Sequence, residues 1–354
     1  MSPGPIRRLV HGRAPLRSVS RVLATAAAAL LLLAACGGGG ESGGGGGGGG
    51  GGAPAGSAAG TAYPATIDTQ FGPVTVEEPP QRVVALGWSD AETALVLGVQ
   101  PVGASDWLGF GGTGVGPWSP PYQTPPTILG TTQLDYEAVA ALRPDLILDT
   151  RSSGDQQRYD TLSRIAPTVG PPPGLAAAYG TTWRQQMDMV SRALGKPEEG
   201  ARQIAGLEEE FRATTAANPS FAGKQAAVGA FFGGQWGAYI PGDARVDVMD
   251  GLGFRTPPQI EALSSQAAGS FYVNLSGEQV GLLSSDLTVA FPIGGSADAI
   301  RADPVLSRTP AAQAGHLVVL DDKTTSDAFS SGSVPGTAAA LDRAVPLFAG
   351  ALAR

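Results

Sequence analysis

The sequence predicts an α/β protein built of two similar lobes, and three features carry that prediction. The first is a repeat: after Glu137 come Val139, Leu142, Asp145 and Leu146, and Glu278, Val280, Leu283, Asp286 and Leu287 reproduce that spacing residue for residue. In the first copy Val139 and Leu142 sit one turn apart on a short helix, Pro144 stops it, and the apolar run 146–148 reads as a buried strand. Each copy is a helix feeding a strand, and such internal repetition marks duplicated units. The second feature is that residues 82–98 and 225–253 both begin as a strand, pass a Gly- and Trp-containing segment and end in a helix closed by Leu-Gly. The third is the stretch between the halves, 182–219, which reads as helix throughout.

The elements follow in order. Arg7, Arg8, Arg13, Arg17 and Arg21 form a basic leader, 22–33 is an apolar run too short to span as a stable membrane helix, and small residues follow. Residues 1–35 therefore read as an export signal. It ends in Leu33-Ala34-Ala35-Cys36, which resembles the lipobox of bacterial lipoproteins, where cleavage leaves Cys36 as the lipidated first residue. Cys36 is the only cysteine, so no disulfide forms within the chain and the fold depends on its core. The leader carries five arginines and no acid, so its removal takes the net charge from −8 to −13. That balance argues against nucleic acid, whose phosphates need a basic face. Residues 36–62 form a tether of mostly Gly, Ala and Ser, spanning roughly 25 to 30 Å as a random coil.

A first lobe is expected over 63–181. Residues 82–86 read as a strand, and Ser89 with Glu92 as a capping box starting a helix that ends at Leu97-Gly98. After a strand at 99–104 comes a long irregular stretch, 105–126, holding Trp107, Phe110, Trp118 and Tyr122; loops this long in compact domains are usually functional. The first copy of the repeat follows, then a helix with Tyr159, Leu162 and Ile165 on one face, ended by Pro167. In the helical segment 182–219, Thr182 and Gln185 form a second capping box, Gly195 stops one helix, and Pro197 opens another carried by Ile204, Leu207 and Phe211. The second lobe, 220–354, has strands at 225–232, 287–291 and 317–320 and a closing helix over 335–352.

The order Pro80-Gln-Arg-Val-Val84, Leu97-Gly-Val-Gln-Pro-Val102, Leu142-Arg-Pro-Asp-Leu-Ile147, Ile165-Ala-Pro-Thr-Val169, Ala193-Leu-Gly195 and Gly315-His-Leu-Val-Val-Leu-Asp321 resembles the periplasmic-binding-protein family that serves ABC importers of ferric siderophores and cobalamin. The resemblance implies two Rossmann-like α/β lobes joined by a single long rigid helix, here 197–217, with the ligand in the cleft between. It implies a receptor rather than an enzyme, a monomer without a cofactor, carrying a ferric siderophore to a permease. Docking would run through one glutamate on each lobe, which by motif position are Glu137 and Glu278, the first residues of the repeated pattern.

Ligands of open α/β sheets bind outside the carboxyl ends of strands, which selects Trp88, Trp107, Trp118, Tyr122, Arg151, Trp236 and Tyr239. Aromatics would pack on a chelator's organic shell and Arg151 would face its oxygens. Bare zinc or manganese is disfavoured because His316 is the only histidine after the leader. Haem through Tyr122, Tyr239 or His316, or cobalamin, is the alternative cargo of the same fold. From another class, Gly87-Trp-Ser-Asp-Ala91 resembles a nucleophile elbow, which would make an exported esterase with Ser89 as nucleophile and His316 as base. A surface lipoprotein with no ligand is the third reading. Gly109-Phe-Gly-Gly-Thr-Gly114 fits a dinucleotide fingerprint, but a Pro-rich stretch follows where a helix should begin, so it reads as a cleft loop.

Overall fold

The computed structural model describes residues 62–131 and 133–354; the leader, Cys36 and tether residues 37–61 lie outside them. The described chain enters through a hairpin, β1 (Ala65–Thr69) and β2 (Gly72–Val76), paired antiparallel with Ala65 opposite Val76. Ile67, Thr69, Val74 and Val76 face inward and alternate with exposed residues, the period of a half-buried strand.

The first sheet comes from β3 (Val83–Ala85), α1 (Asp90–Val96), β4 (Gly103–Ser105), β5 (Thr127–Leu129), α2 (Tyr136–Ala141), β6 (Leu146–Leu148), α3 (Gln156–Ser163) and β7 (Thr168–Val169). Its order is β5-β4-β3-β6-β7 and every pair is parallel. Parallel sheets are covered on both faces, which explains why β3 and β6 are apolar at each position and buried throughout. The strand order reverses at β3, so the ends of β3 and β6 open a crevice at the topological switch point.

Two helices follow. α4 (Trp183–Ala193) begins with both halves of the Thr182–Gln185 capping box, and α5 (Pro197–Ala217) starts on Pro197. The chain then builds β8 (Ala226–Phe232), β9 (Gln235–Tyr239), α6 (Ala244–Gly251), α7 (Pro258–Glu261), β10 (Tyr272–Leu275), β11 (Leu287–Ile293), α8 (Ala297–Arg301), α9 (Pro310–Gln313), β12 (Leu317–Val319), α10 (Lys323–Ser331) and α11 (Val334–Leu352). The second sheet runs β10-β9-β8-β11-β12; β8, β11 and β12 are parallel, whereas β9 and β10 are antiparallel additions. Residues 233–239 therefore depart from the opening of the first lobe. Gly233 and Gly234, at φ 57° and 83°, supply the two positive φ angles of a tight hairpin, and β9 follows at once.

The repeat occupies the same place in both lobes. Val139 and Val280 are buried in the two cores, and Leu146 pairs with Val83 as Leu287 pairs with Ala226. Asp145 accepts the backbone N–H of Gln81 at 2.7 Å and of Arg82 at 2.9 Å, and Asp286 accepts that of Gln225 at 2.8 Å. In each lobe the repeated aspartate pins the entry of the first central strand. The second copy forms a 3-10 turn over 279–283 rather than an α-helix. One continuous apolar core runs from Ile67 and Leu146 through Met187, Val190, Leu207 and Phe211 to Val228, Leu287 and Phe348. The closing helix α11 packs on α5, α4 and α1, returning the chain to the helical layer.

Candidate ligand-binding site

The first wall of the cleft grows from the turn after β3. A Cβ on Gly87 would lie 2.2 Å from Asp90 Oδ2 and 2.8 Å from the Arg151 backbone nitrogen, so only glycine fits. Trp88 N–H donates to the Arg151 carbonyl at 2.8 Å, which fixes the tryptophan above the switch point. Its ring is sandwiched between Trp107, at 4.3 Å between centroids, and Tyr179, at 4.0 Å, both nearly parallel. Such stacks add about 1 kcal/mol per pair beyond area burial. Phe271, from the second lobe, meets Trp88 edge-on at 5.9 Å.

Arg151 lies behind this stack. It is 1% exposed, donates from Nε to the Tyr179 carbonyl at 2.9 Å and from Nη1 to the Ser331 carbonyl at 2.5 Å, and sits 5.8 to 5.9 Å from the Trp107 and Trp88 ring centres. Burial pulls its pKa down to about 10, with Asp243 opposing. Arg151 is a clamp between the lobes and does not line the cleft, contrary to the sequence expectation.

The second wall is organised by Arg245, at the start of α6. Its Nη1 bonds Asp243 Oδ2 at 2.8 Å, its Nε donates to Ser330 Oγ at 3.1 Å, and its guanidinium lies 4.1 Å from the Tyr239 ring centre. Nη2 has no hydrogen-bond partner among the described residues. Burial lowers the Arg245 pKa, but Asp243 and Tyr239 together more than offset it and hold it above its ordinary value; burial, with Arg245 opposing, pushes the Tyr239 phenol up to about 12. Both groups keep their protons at neutral pH. Between the walls is a cavity of about 280 Å³ bordered by Trp88, Trp107, Phe232, Tyr239, Arg245 and Tyr272. Past Leu108, Arg245 and Ile293 a second cavity of about 390 Å³ continues to Asp321, Lys323 and Asp327.

Of the seven residues expected at the ligand, Trp88, Trp107, Trp236 and Tyr239 border this cleft. Trp236 is nonetheless 4% exposed, with Nε1 donating to Asp303 Oδ2 at 2.9 Å. Trp118 and Tyr122 turn the other way. Trp118 Nε1 donates to Glu92 Oε2 at 3.1 Å, and Tyr122 packs on the cluster containing Ala91 and Leu95, where burial raises its phenol pKa. The Glu92 carboxylate holds Trp118 and the apolar surface of α1 holds Tyr122, so neither ring joins the cleft wall.

The Ser89–Glu92 capping box does not form. Ser89 adopts a left-handed φ of 63° and its Oγ donates to the Ser331 carbonyl at 2.6 Å, while Glu92 accepts from Gly116 N–H, Trp118 and Ser333. Ser89 is 2% exposed and has no hydrogen bond to His316 among the described residues, so the esterase arrangement is absent from them. In the loop at 109–114, Asp106 accepts from Phe110 and Gly112 N–H at 2.8 and 2.7 Å, and no helix follows. Glu137 and Glu278 are both exposed, one on each lobe.

Sequence reasoning missed Arg245, Tyr179 and Phe271. The signal for Arg245 was an N-cap aspartate two residues before an arginine, a pairing that holds a guanidinium at the first turn of a helix. Tyr179 stands at φ 60° in a segment without periodicity and carried no signal.

Comparison with known proteins agrees with this architecture. The chain is 26% identical over 218 residues to the probable siderophore-binding lipoprotein YfiY of Bacillus subtilis, covering 60% of this chain and 63% of that protein. It is 29% identical over 200 residues to the ferric enterobactin-binding periplasmic protein FepB of Escherichia coli, covering 53% and 60%. The match thus spans less than two thirds of either relative. Among solved structures, a periplasmic solute binding protein from Mycobacterium smegmatis superposes with a TM-score of 0.69 at 25% identity, over 81% of this chain and 98% of that one. PiaA of Streptococcus pneumoniae in complex with ferrichrome gives 0.68 at 23%, over 82% and 99%, a likeness of fold. The family model described as periplasmic binding protein matches residues 83–324, spanning both sheets and the cleft between them, and the chain belongs to that family.

Proposed function

We propose that this protein is the lipid-anchored, extracytoplasmic substrate-binding component of an ABC importer, and that it captures a ferric siderophore in the cleft between its lobes. The observation that carries the reading is the pairing of an aromatic wall, Trp88 stacked on Trp107, with the Arg245 side chain across one cavity. Flat rings cover an organic shell and a guanidinium edge donates to chelating oxygens. Among the described residues no three His, Cys, Asp or Glu side chains are grouped to hold a bare ion, so the cleft suits a metal already wrapped in a chelator. The siderophore-binding names of YfiY and FepB support the same cargo. Binding, not bond-making, is the work done.

Titrating the purified protein with ferric hydroxamate, catecholate and citrate chelates, cobalamin and haem while following tryptophan fluorescence tests it. Saturable quenching by one ferric chelate is expected, because Trp88 and Trp107 border the cavity. Silence across the panel rejects the receptor, and quenching by haem or cobalamin alone reassigns the cargo.

Delivery is proposed to run through Glu137 and Glu278, exposed acids in equivalent places on the two lobes. Alanine at both is expected to abolish chelate import by cells while leaving chelate affinity unchanged; unimpaired import removes the docking role. Cys36 is the proposed lipidation site. Cys36→Ser is expected to release the protein from membranes, and retention there would count against the anchor.

A further inference from the structure

The two cavities differ in what they offer a charge, and the difference bears on which chelate fits; the argument rests on the receptor reading above. Four charged side chains border them, and they cancel: Arg245 and Lys323 against Asp321 and Asp327. The two cations are already engaged, Arg245 with Asp243 and Lys323 with Asp327. Asp321 is held by Arg301 at 2.6 Å. Arg151, the other nearby cation, is sealed behind Trp88 and Trp107 with its guanidinium spent on carbonyl oxygens. A polyanionic complex entering here would lose its hydration and meet no cation whose charge is not already balanced by a carboxylate, a costly transfer, although the Arg245 edge can still donate a hydrogen bond.

The rest of the lining is apolar or neutral. Phe232 is 64% exposed, Tyr272 41% and Ile293 40%, large side chains at the mouth where the ends of β8 and β11 meet the start of β10. Exposed apolar residues grouped at a cleft mouth mark a binding surface. Trp107 Nε1 is buried without a partner among the described residues, and the Gln235 and Asn274 amides also border the cavity. These are neutral donors.

We infer that the cleft selects a ferric chelate of low net charge with an apolar skin, the trihydroxamate class, and discriminates against trianionic tris-catecholate and citrate complexes. Neutral donors and the Arg245 edge would meet hydroxamate oxygens, while Phe232, Tyr272 and Ile293 would cover methylene spacers.

Competitive fluorescence titration with a ferric trihydroxamate and a ferric tris-catecholate of similar size separates the cases. The trihydroxamate is expected to bind at least about tenfold more tightly. Phe232→Lys, at a position 64% exposed, adds one free cation to the mouth. It is expected to weaken the trihydroxamate and strengthen the tris-catecholate, each by about threefold or more. A wild-type preference for the tris-catecholate, or a Phe232→Lys variant that shifts neither affinity, overturns the selectivity and leaves the receptor standing. Failure of every ferric chelate to bind overturns the receptor reading itself.

Discussion

The two walls of the cleft each hold a buried arginine against aromatic rings, yet the arginines have opposite duties. In the first lobe Arg151 follows β6, and its hydrogen bonds end on carbonyl oxygens, so burial dominates and its pKa falls to about 10. In the second lobe Arg245 has a carboxylate partner in Asp243, so its pKa is held up, and the residue borders the cavity. The backbone explains the split. The first lobe passes from β3 straight into α1, which places the residues after β6 against the helical layer and Ser331. The second inserts β9 after β8, and the longer path sets the start of α6 at the cleft. A guanidinium with no carboxylate in ion-pair contact serves as an internal strut, whereas one paired at the edge of a cavity remains available to a ligand.

The largest effect expected from this contrast is on stability. Arg151→Met leaves the Tyr179 carbonyl without its donor, takes one of two donors from the Ser331 carbonyl, which keeps Ser89 Oγ, and should cost about 2 kcal/mol. Chelate affinity, measured where the variant is folded, should change by less than about threefold. Thermal and denaturant unfolding read the first and fluorescence titration the second. An unchanged melting temperature with lost binding would reverse the roles of the two arginines. A smaller and opposite result is expected of Arg245→Lys, which keeps a charge beside Asp243 but loses the planar fork over Tyr239. Affinity should fall about tenfold, with a loss of melting temperature smaller than that of Arg151→Met because the charge beside Asp243 is kept. Full affinity in that variant would remove Arg245 from the site.

The repeat made the lobes legible because Val139 and Val280, Leu146 and Leu287, and Asp145 and Asp286 do the same physical work in each: fill the core, pair with the first strand, and hold its entry. Helices with strong punctuation were equally readable, as at Thr182, Gln185 and Pro197. Short β5 and β7 were not, since a two- or three-residue strand has too few positions to show a period. Of the candidate site, the position of the tryptophan after β3 at the cleft was legible from strand direction alone. The destination of a loop aromatic was not: Trp118 and Trp107 lie in the same irregular stretch, and only the Glu92 carboxylate turning away from its expected cap decides that Trp118 goes to α1. Whether an arginine is strut or ligand group depends on partners distant in sequence, Ser331 for Arg151, and no local pattern reports it.

The smallest expected effect concerns the carboxyl groups behind the walls, again one in each lobe. Burial raises Asp90 to about 6, against hydrogen bonds from Thr150 and Gln186, and raises Asp247 to about 6 with Asp243 adding to the shift. Both folded values lie above the ordinary aspartate value of 3.8. The folded state therefore binds more protons than the unfolded state between about pH 4 and 6, and stability should fall as pH rises through that window, then level off. The lobes differ in what an amide can replace. At Asp90 the carboxylate accepts Thr150 N–H at 3.0 Å and Gln186 Nε2 at 2.7 Å, so Asp90→Asn loses an acceptor and should destabilise at every pH. Asp247 has no side-chain hydrogen bond among the described residues, so Asp247→Asn should flatten part of the decline and raise the melting temperature above pH 6 by about 2 °C. Melting curves from pH 4 to 7 read this directly. A wild-type slope in Asp247→Asn would mean that Asp247 stays ionised across the window, stabilised by the Arg151 guanidinium, and that the strut of the first lobe also serves the second.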